Sequence, residues 1–260
     1  MKAVILAGGR GSRLSEETHA RPKPMVEIGG RPILWHIMKI YEHHGIRDFV
    51  ICLGYRGEFI KEFFHNYALH RSDVTFSLKT GQATVHRADG EDWNVTLIDT
   101  GESTETGARI RKILPFVEDQ EAFCLTYGDG VGDIDIAREI AFHKAHGKLA
   151  TLAAVAPPGR FGALKFADDG KTVGELIEKP AGDGGLINGG FFVLSPKIRE
   201  YIADGEGEIW ERGPLARLAA AGQLVGYKHT GFWRPMDTIR DRHDLEDMWA
   251  GPKPPWKVWG

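Results

Sequence analysis

The 260-residue chain has only two cysteines, Cys52 and Cys124, and each stands inside an apolar run, FVICL and FCLTY. Two such residues build neither a zinc site nor a disulfide framework, so they read as small buried hydrophobes in a reducing compartment. No apolar run approaches the ~20 residues that cross a bilayer, which excludes an integral membrane helix. Positive charge is not in surplus either. With 33 Lys and Arg against 36 Asp and Glu, the net charge of −3 lacks the basic excess of a nucleic-acid surface. The five apolar residues after Met1-Lys2 are too few for a signal-peptide core, so the expectation is a cytoplasmic protein with no membrane or polynucleotide partner.

Several catalytic signatures are missing as well. The 11 histidines contain no HExxH pair, and no G-x-S-x-G elbow supports a Ser-His-Asp arrangement. His43 and His44 close an amphipathic segment, where the negative end of a helix dipole suits them. What the chain does have is 33 glycines beside 42% hydrophobic and 27% charged residues, the balance of a globular protein with many tight turns or with backbone close to a ligand.

Short apolar runs alternate with helical periods, which argues for a largely parallel sheet flanked by helices. Lys2–Leu6 reads as the first strand. Pro32 opens a helix with Ile33, Ile37 and Tyr41 on one stripe beside Leu34 and Met38, and Gly45 ends it. Strands follow at Asp48–Leu53, Val95–Asp99 and Phe123–Tyr127, with helices over 58–67 and 134–146. From about Ala150 the runs LATLAAVA, FGALKF, VGELIEKP and GGFFVLSP make a strand-rich half. Helical patterning returns at 196–203, 214–221 and 238–249. No repeat or low-complexity linker divides the chain, so one domain is expected.

The strongest chemical signal is LAGGRGSRL, Leu6 to Leu14, directly after the first strand. Gly8, Gly9 and Gly11 allow backbone N–H groups to face an anion without a Cβ in the way, and Arg10 and Arg13 add positive charge. The segment lacks the GK[ST] ending of a P-loop, and Leu14 stands where GxGxxG needs glycine. Next comes RPKPM, in which Pro22 and Pro24 restrict the backbone around Lys23, a lysine suited to neutralising a phosphoryl group. TYGDG presents Asp129 at a strand end, where open α/β sheets bind ligands. The alternatives are a turn aspartate for Asp129, a helix N-cap for Asp237, and a helix start at Ser103 or Thr104 that leaves Arg109 in solvent.

LAGGRGSRL followed by RPKPMVEIGGRPIL resembles the signature of the sugar-1-phosphate nucleotidyltransferases. The resemblance continues through TYGDG, PPGRFGAL, EKP, INGGFFVL and GFWRPMDT, nearly the whole chain. The closing PPWKVW and the missing Gln-Pro segment of the thymidylyl and uridylyl enzymes point to cytidylyl-transferring members. It implies a Rossmann-like three-layer α/β nucleotidyltransferase fold with a mixed, mostly parallel central sheet. Residues 1–150 would form the nucleotide-binding half, and 151–260 the strand-rich sugar-phosphate-binding half with C-terminal helices.

The implied reaction moves CMP from CTP to α-D-glucose 1-phosphate by Mg²⁺-assisted in-line attack. Alternatives are another base or sugar, or a non-catalytic sugar-nucleotide-binding regulatory subunit. By the same resemblance, Lys23, Arg13 and Asp129 are catalytic, and Asp129 and Asp237 hold Mg²⁺. The nucleotide would be bound by Leu6, Ala7, Gly8, Gly9, Arg10, Gly11, Ser12, Arg13, Lys23, Thr104, Arg109 and Gly128. Lys179 would grip the incoming phosphate, with Glu178 and Asn188 on sugar hydroxyls. A homo-oligomer is also implied. Trp256 and Trp259 in the tail dock either on a partner subunit or on the chain's own core, and the sequence leaves both open.

Overall fold

The structure is a computed structural model that describes residues 1–11, 14, 21–87, 90–159, 163–166, 171, 173–177 and 185–260. Seven strands form the central sheet: β1 (Lys2–Leu6), β2 (Asp48–Leu53), β3 (Asn94–Asp99), β4 (Phe123–Tyr127), β5 (Ala150–Val155), β6 (Ile187–Leu194) and β7 (Leu224–His229). Their order is β7-β5-β6-β4-β1-β2-β3. β1 runs parallel to both β2 and β4, with Lys2 opposite Asp48 and Ala3 opposite Cys124. Only β6 runs against its neighbours, β5 and β4. The fold class is the mixed, mostly parallel α/β sheet that the sequence implies. The chain winds outward from β1 to β3 and returns at β4, so the winding reverses between β1 and β4. That reversal opens a crevice at their carboxyl ends.

Helices cover both faces: α1 (Ile33–His43), α2 (Gly57–His65), α3 (Thr106–Ile113), α4 (Ile136–His146), α5 (Pro214–Ala220) and α6 (Ile239–Ala250). β1 shows how the layers arise. Ala3 and Ile5 join the core under α1, α4 and α6, whereas Val4 and Leu6 join the opposite core under α3 and α5. Successive strand residues face opposite sides, so a strand packed on both reads as a continuous apolar run. Each fully buried Val, Leu or Ile of such a strand contributes about 1.5–3 kcal/mol.

Several elements differ from the periodicity. The helix expected over 58–67 breaks at Asn66, with one further turn over Tyr67–His70. Pro196–Tyr201 is a 3-10 segment rather than an α-helix. α4 starts two residues late because Asp135 caps it, accepting from the Arg138 amide at 2.9 Å. Three short ribbons escaped the pattern: Glu27–Ile28 with Arg31–Pro32, Asp73–Ser77 with Gln82–Arg87, and Gly130–Gly132 with Trp233–Pro235.

The stripe expected on α1 is buried, and so are Trp35, His36 and Ile40. The C-terminal tail covers two of these, with Trp259 edge-on to Trp35 at 5.7 Å between ring centroids and Trp256 at 6.0 Å from the His36 ring. Trp256 is fully buried on the chain's own core, stacked on Trp249 with ring centroids 5.9 Å apart and on Phe232 at 5.8 Å. Cys52 and Cys124 are free and buried, as expected. Burial pushes the Cys52 thiol up to about 12, far from a reactive thiolate. Burial, followed by neighbouring His43, lowers the His44 pKa, which works against the cation that the helix dipole favours.

Candidate active site

A cleft of about 560 Å³ opens at the carboxyl ends of β1 and β4. Lys23 lies on the 3-10 turn Lys23–Met25, which follows Pro22 in extended backbone. Its Nζ donates to Asp129 Oδ2 at 2.7 Å and to Asp237 Oδ1 at 2.8 Å. Burial works against the ammonium, but the two carboxylates outweigh it and raise the lysine pKa above its ordinary value. Lys23 is therefore charged throughout the neutral range.

The distant acids meet because of a ribbon that periodicity does not reveal. Gly130–Gly132 pairs antiparallel with Trp233–Pro235, setting Pro235 opposite Gly130, and the Met236 amide donates to the Asp129 carbonyl at 2.8 Å. Asp129 precedes one strand and Asp237 follows the other, so the pairing sets them side by side. Asp237 is not the helix cap. Thr238 caps α6 in a reciprocal box with Asp241. Gly128 allows the turn of Lys23 to approach, because a Cβ there would lie 3.0 Å from Pro24 Cγ.

The glycine loop forms the neighbouring wall. Gly11 takes a left-handed φ of 61°, which favours glycine. Gly8 is required for another reason: a Cβ on it would stand 2.2 Å from Arg109 Nη1. Arg109 is buried, not in solvent, and α3 has no side-chain N-cap. Its Nη1 donates to Leu53 O at 2.9 Å, Thr100 Oγ1 at 2.6 Å and Gly101 O at 2.8 Å, and its Nη2 to Gly8 O at 3.0 Å. Burial lowers its pKa. Arg109 thus ties the glycine loop to the ends of β2 and β3 while facing the cleft.

Thr104 is also buried; it donates to Glu206 and accepts from Lys112 Nζ at 3.2 Å. Asn188 lines the cleft, and its Oδ1 closes a turn by accepting from the Gly190 amide at 2.8 Å. Leu6, Ala7, Gly8, Gly9, Gly11, Lys23, Thr104, Arg109, Gly128, Asp129, Asn188 and Asp237 all border this one cleft. Arg10 is not among the lining residues; it pairs with exposed Glu102 at 3.1 Å. Ser12, Arg13, Glu178 and Lys179 lie outside the described residues.

Sequence reasoning missed three groups. Glu211 borders the cleft, accepting from Tyr127 and, at 2.8 Å, from Thr106 Oγ1. Burial, followed by Glu211, raises the Tyr127 pKa. The third group lies behind Lys23. The His36 Nε2 and the Ile28 carbonyl are 2.9 Å apart, and the Gly29 amide donates to both Glu246 oxygens at 3.1 and 3.0 Å. A lone Glu or Tyr in sequence carries no such signal.

The donor set suits a divalent cation. Two carboxylates converge on one point now held by an ammonium, at the side of a cleft roomy enough for a nucleotide, and Mg²⁺ takes one or two carboxylates plus substrate oxygens. Among the described residues no group of three or more His, Cys, Asp or Glu side chains forms a metal cage. No helix among them is long and apolar enough to cross a membrane.

The pattern of the nucleotidyl transferase family matches residues 2–233. The chain is 58% identical over 259 residues to the glucose-1-phosphate cytidylyltransferase of Salmonella typhi, covering 100% of both. It is 42% identical over 260 residues to the probable glucose-1-phosphate cytidylyltransferase of Bacillus subtilis, again covering 100% of both. In fold it is similar to the crystal structure of HddC from Yersinia pseudotuberculosis, with a TM-score of 0.70 at 22% identity, covering 96% of this chain and 99% of that one.

Proposed function

The chain belongs to the nucleotidyl transferase family, and from that premise we propose that its cleft moves CMP from CTP to α-D-glucose 1-phosphate, giving CDP-glucose and pyrophosphate. The observation that carries this reading is the 58% identity to the Salmonella typhi enzyme over the full length of both.

The sugar phosphate is already anionic at pH 7 and needs neither a general base nor a covalent enzyme intermediate. The task left to the protein is to align its oxygen with the α-phosphorus and to offset the charge that gathers as pyrophosphate leaves. Lys23 suits the second part, because the buried turn Lys23–Met25 holds its backbone beside the two carboxylates whether its ammonium or a metal ion sits between them. The backbone of Gly8, Gly9 and Gly11 faces the phosphates, and sequence resemblance assigns Arg13 to them. Arg109 serves the nucleotide by fixing the wall of Gly8, Thr100 and Gly101, with Thr104 beside it. Lys179 holds the attacking phosphate, and Glu178 and Asn188 meet sugar hydroxyls. The roles of Arg13, Glu178 and Lys179 rest on sequence resemblance. Asp129 and Asp237 would hold Mg²⁺, which when bound neutralises triphosphate oxygens. On this reading the protein works as a homo-oligomer.

Pyrophosphate release measured across four nucleoside triphosphates, against glucose 1-phosphate and two other sugar phosphates, tests the proposal. CTP with glucose 1-phosphate gives the highest kcat/KM. Preference for another pair overturns the substrate assignment, and tight CTP binding without release makes the protein a sugar-nucleotide-binding regulator.

A further inference from the structure

Two stretches of chain end at the Lys23–Asp237 ion pair, and both are joined again at their far ends. From Lys23 the chain runs through Val26, whose amide donates to Lys23 O at 3.1 Å, into the ribbon of Glu27–Ile28 and Arg31–Pro32. From Asp237 it runs directly into α6. The ribbon's turn and the helix meet at Gly29 and Glu246, where one backbone amide is received by both carboxylate oxygens at 3.1 and 3.0 Å. The path is a closed ring: Lys23 to Gly29, across to Glu246, back along α6 to Asp237, and across to Lys23.

The contact has little room to move. Gly29 has a left-handed φ of 59°, and a Cβ there would lie 1.9 Å from Trp249 Nε1, so the turn is seated directly on the indole. His36 holds Ile28 from the other side. A carboxylate bonded to a backbone amide is a charge-assisted link, stronger than a neutral one.

We propose that Glu246 is a positioning residue for the reaction: by holding Gly29 it fixes the distance between the hairpin that carries Lys23 and the helix that follows Asp237. The inference rests on the reading of Lys23 and Asp237 as the groups that act on the transferring phosphoryl unit. Small misplacement of such groups costs rate steeply, on the order of 100-fold for 1 Å. Without Glu246 the hairpin keeps the seat of Gly29 on Trp249 and the long Arg242 Nε donation to Glu27 O at 3.5 Å, its hold on α6 loosens, and the loss falls on alignment rather than on substrate binding.

Steady-state kinetics of the full chain with CTP and glucose 1-phosphate test this in Glu246→Ala, Glu246→Gln and Ile198→Val, the last a core change on the opposite face of the sheet. Glu246→Ala lowers kcat about tenfold or more with both KM values within about twofold. Glu246→Gln, which keeps one carbonyl acceptor, recovers most of the rate, and Ile198→Val leaves kcat unchanged at 25 °C. Hydrogen exchange over 23–31 speeds up in Glu246→Ala and not in Glu246→Gln. A Glu246→Ala kcat within twofold of wild type overturns the proposal, as does an equal kcat loss in Ile198→Val or unchanged exchange over 23–31. Wild-type protein that makes no CDP-glucose sinks the functional reading instead, and the exchange data still decide whether Glu246 holds the hairpin.

Discussion

The Lys23 ammonium and the Asp237 carboxylate lie 2.8 Å apart although 214 positions separate them in sequence. Asp129 stands on the other side of the same ammonium at 2.7 Å. Lys23 therefore fills the point between two carboxylates where a divalent ion would be attracted, and the two cations compete for that point. Like charges at such range repel by several kcal/mol at the partly screened dielectric of a cleft. Removing Lys23 should tighten divalent binding to the nucleotide-free protein. Mn²⁺ titration followed by electron paramagnetic resonance, with Lys23→Met beside wild type, is expected to show at least tenfold higher affinity in the variant. Equal or weaker binding would show that the acids do not share a cation site with the lysine.

Gly8 offers a separate test, because its hydrogen atom faces a guanidinium that cannot retreat. Arg109 is anchored to acceptors at Leu53, Thr100 and Gly101, so the methyl group of Gly8→Ala has to push the loop instead. Overpacking of this kind costs about 1–3 kcal/mol. The expected outcome is a lower urea midpoint together with a raised KM for CTP. Wild-type stability in Gly8→Ala would mean that Arg109 is free to move.

Glu139 sets a pH dependence of stability. It is buried on α4, its Oε1 has no hydrogen-bond partner among the described residues, and burial raises its pKa from 4.5 to about 8. The folded chain therefore keeps a proton that the unfolded chain releases above pH 4.5. Stability should fall as pH rises from about 4.5 to about 8, by up to roughly 1.4 kcal/mol per pH unit, and level off above that. Glu139→Gln removes the ionisable group and should flatten this part of the profile, with a higher Tm at pH 8.5. Melting curves across pH 5–9 check this, and parallel profiles for the two proteins would refute it.

How far the sequence could lead depended on the kind of signal. β2 and β4 were legible to the residue because both faces are buried and the apolar run has sharp ends. The ribbon of Gly130–Gly132 and Trp233–Pro235 was not, since three-residue strands reading Gly-Val-Gly and Trp-Arg-Pro are too short to show a period, yet that ribbon is what joins Asp129 to Asp237. Lys23 could be singled out because two prolines restrict its neighbours. Asp237 needed a family resemblance, since spacing alone does not distinguish it from a helix cap. The glycine loop was recognised with an incomplete cause: ligand approach was expected, whereas Gly8 also makes space for Arg109. Glu246 and Glu211 act through contacts across more than 80 residues, which no local pattern encodes.

The central claim is that the charge of Lys23, held at a fixed point, lowers the barrier to phosphoryl transfer. Turnover of Lys23→Ala with saturating CTP and glucose 1-phosphate, alongside circular dichroism to confirm the fold, tests it most directly. Removing one such preorganised group commonly costs about 100- to 1,000-fold, and a drop in kcat of at least that size is expected with the spectrum unchanged. A folded Lys23→Ala protein that turns over at the wild-type rate would contradict the account.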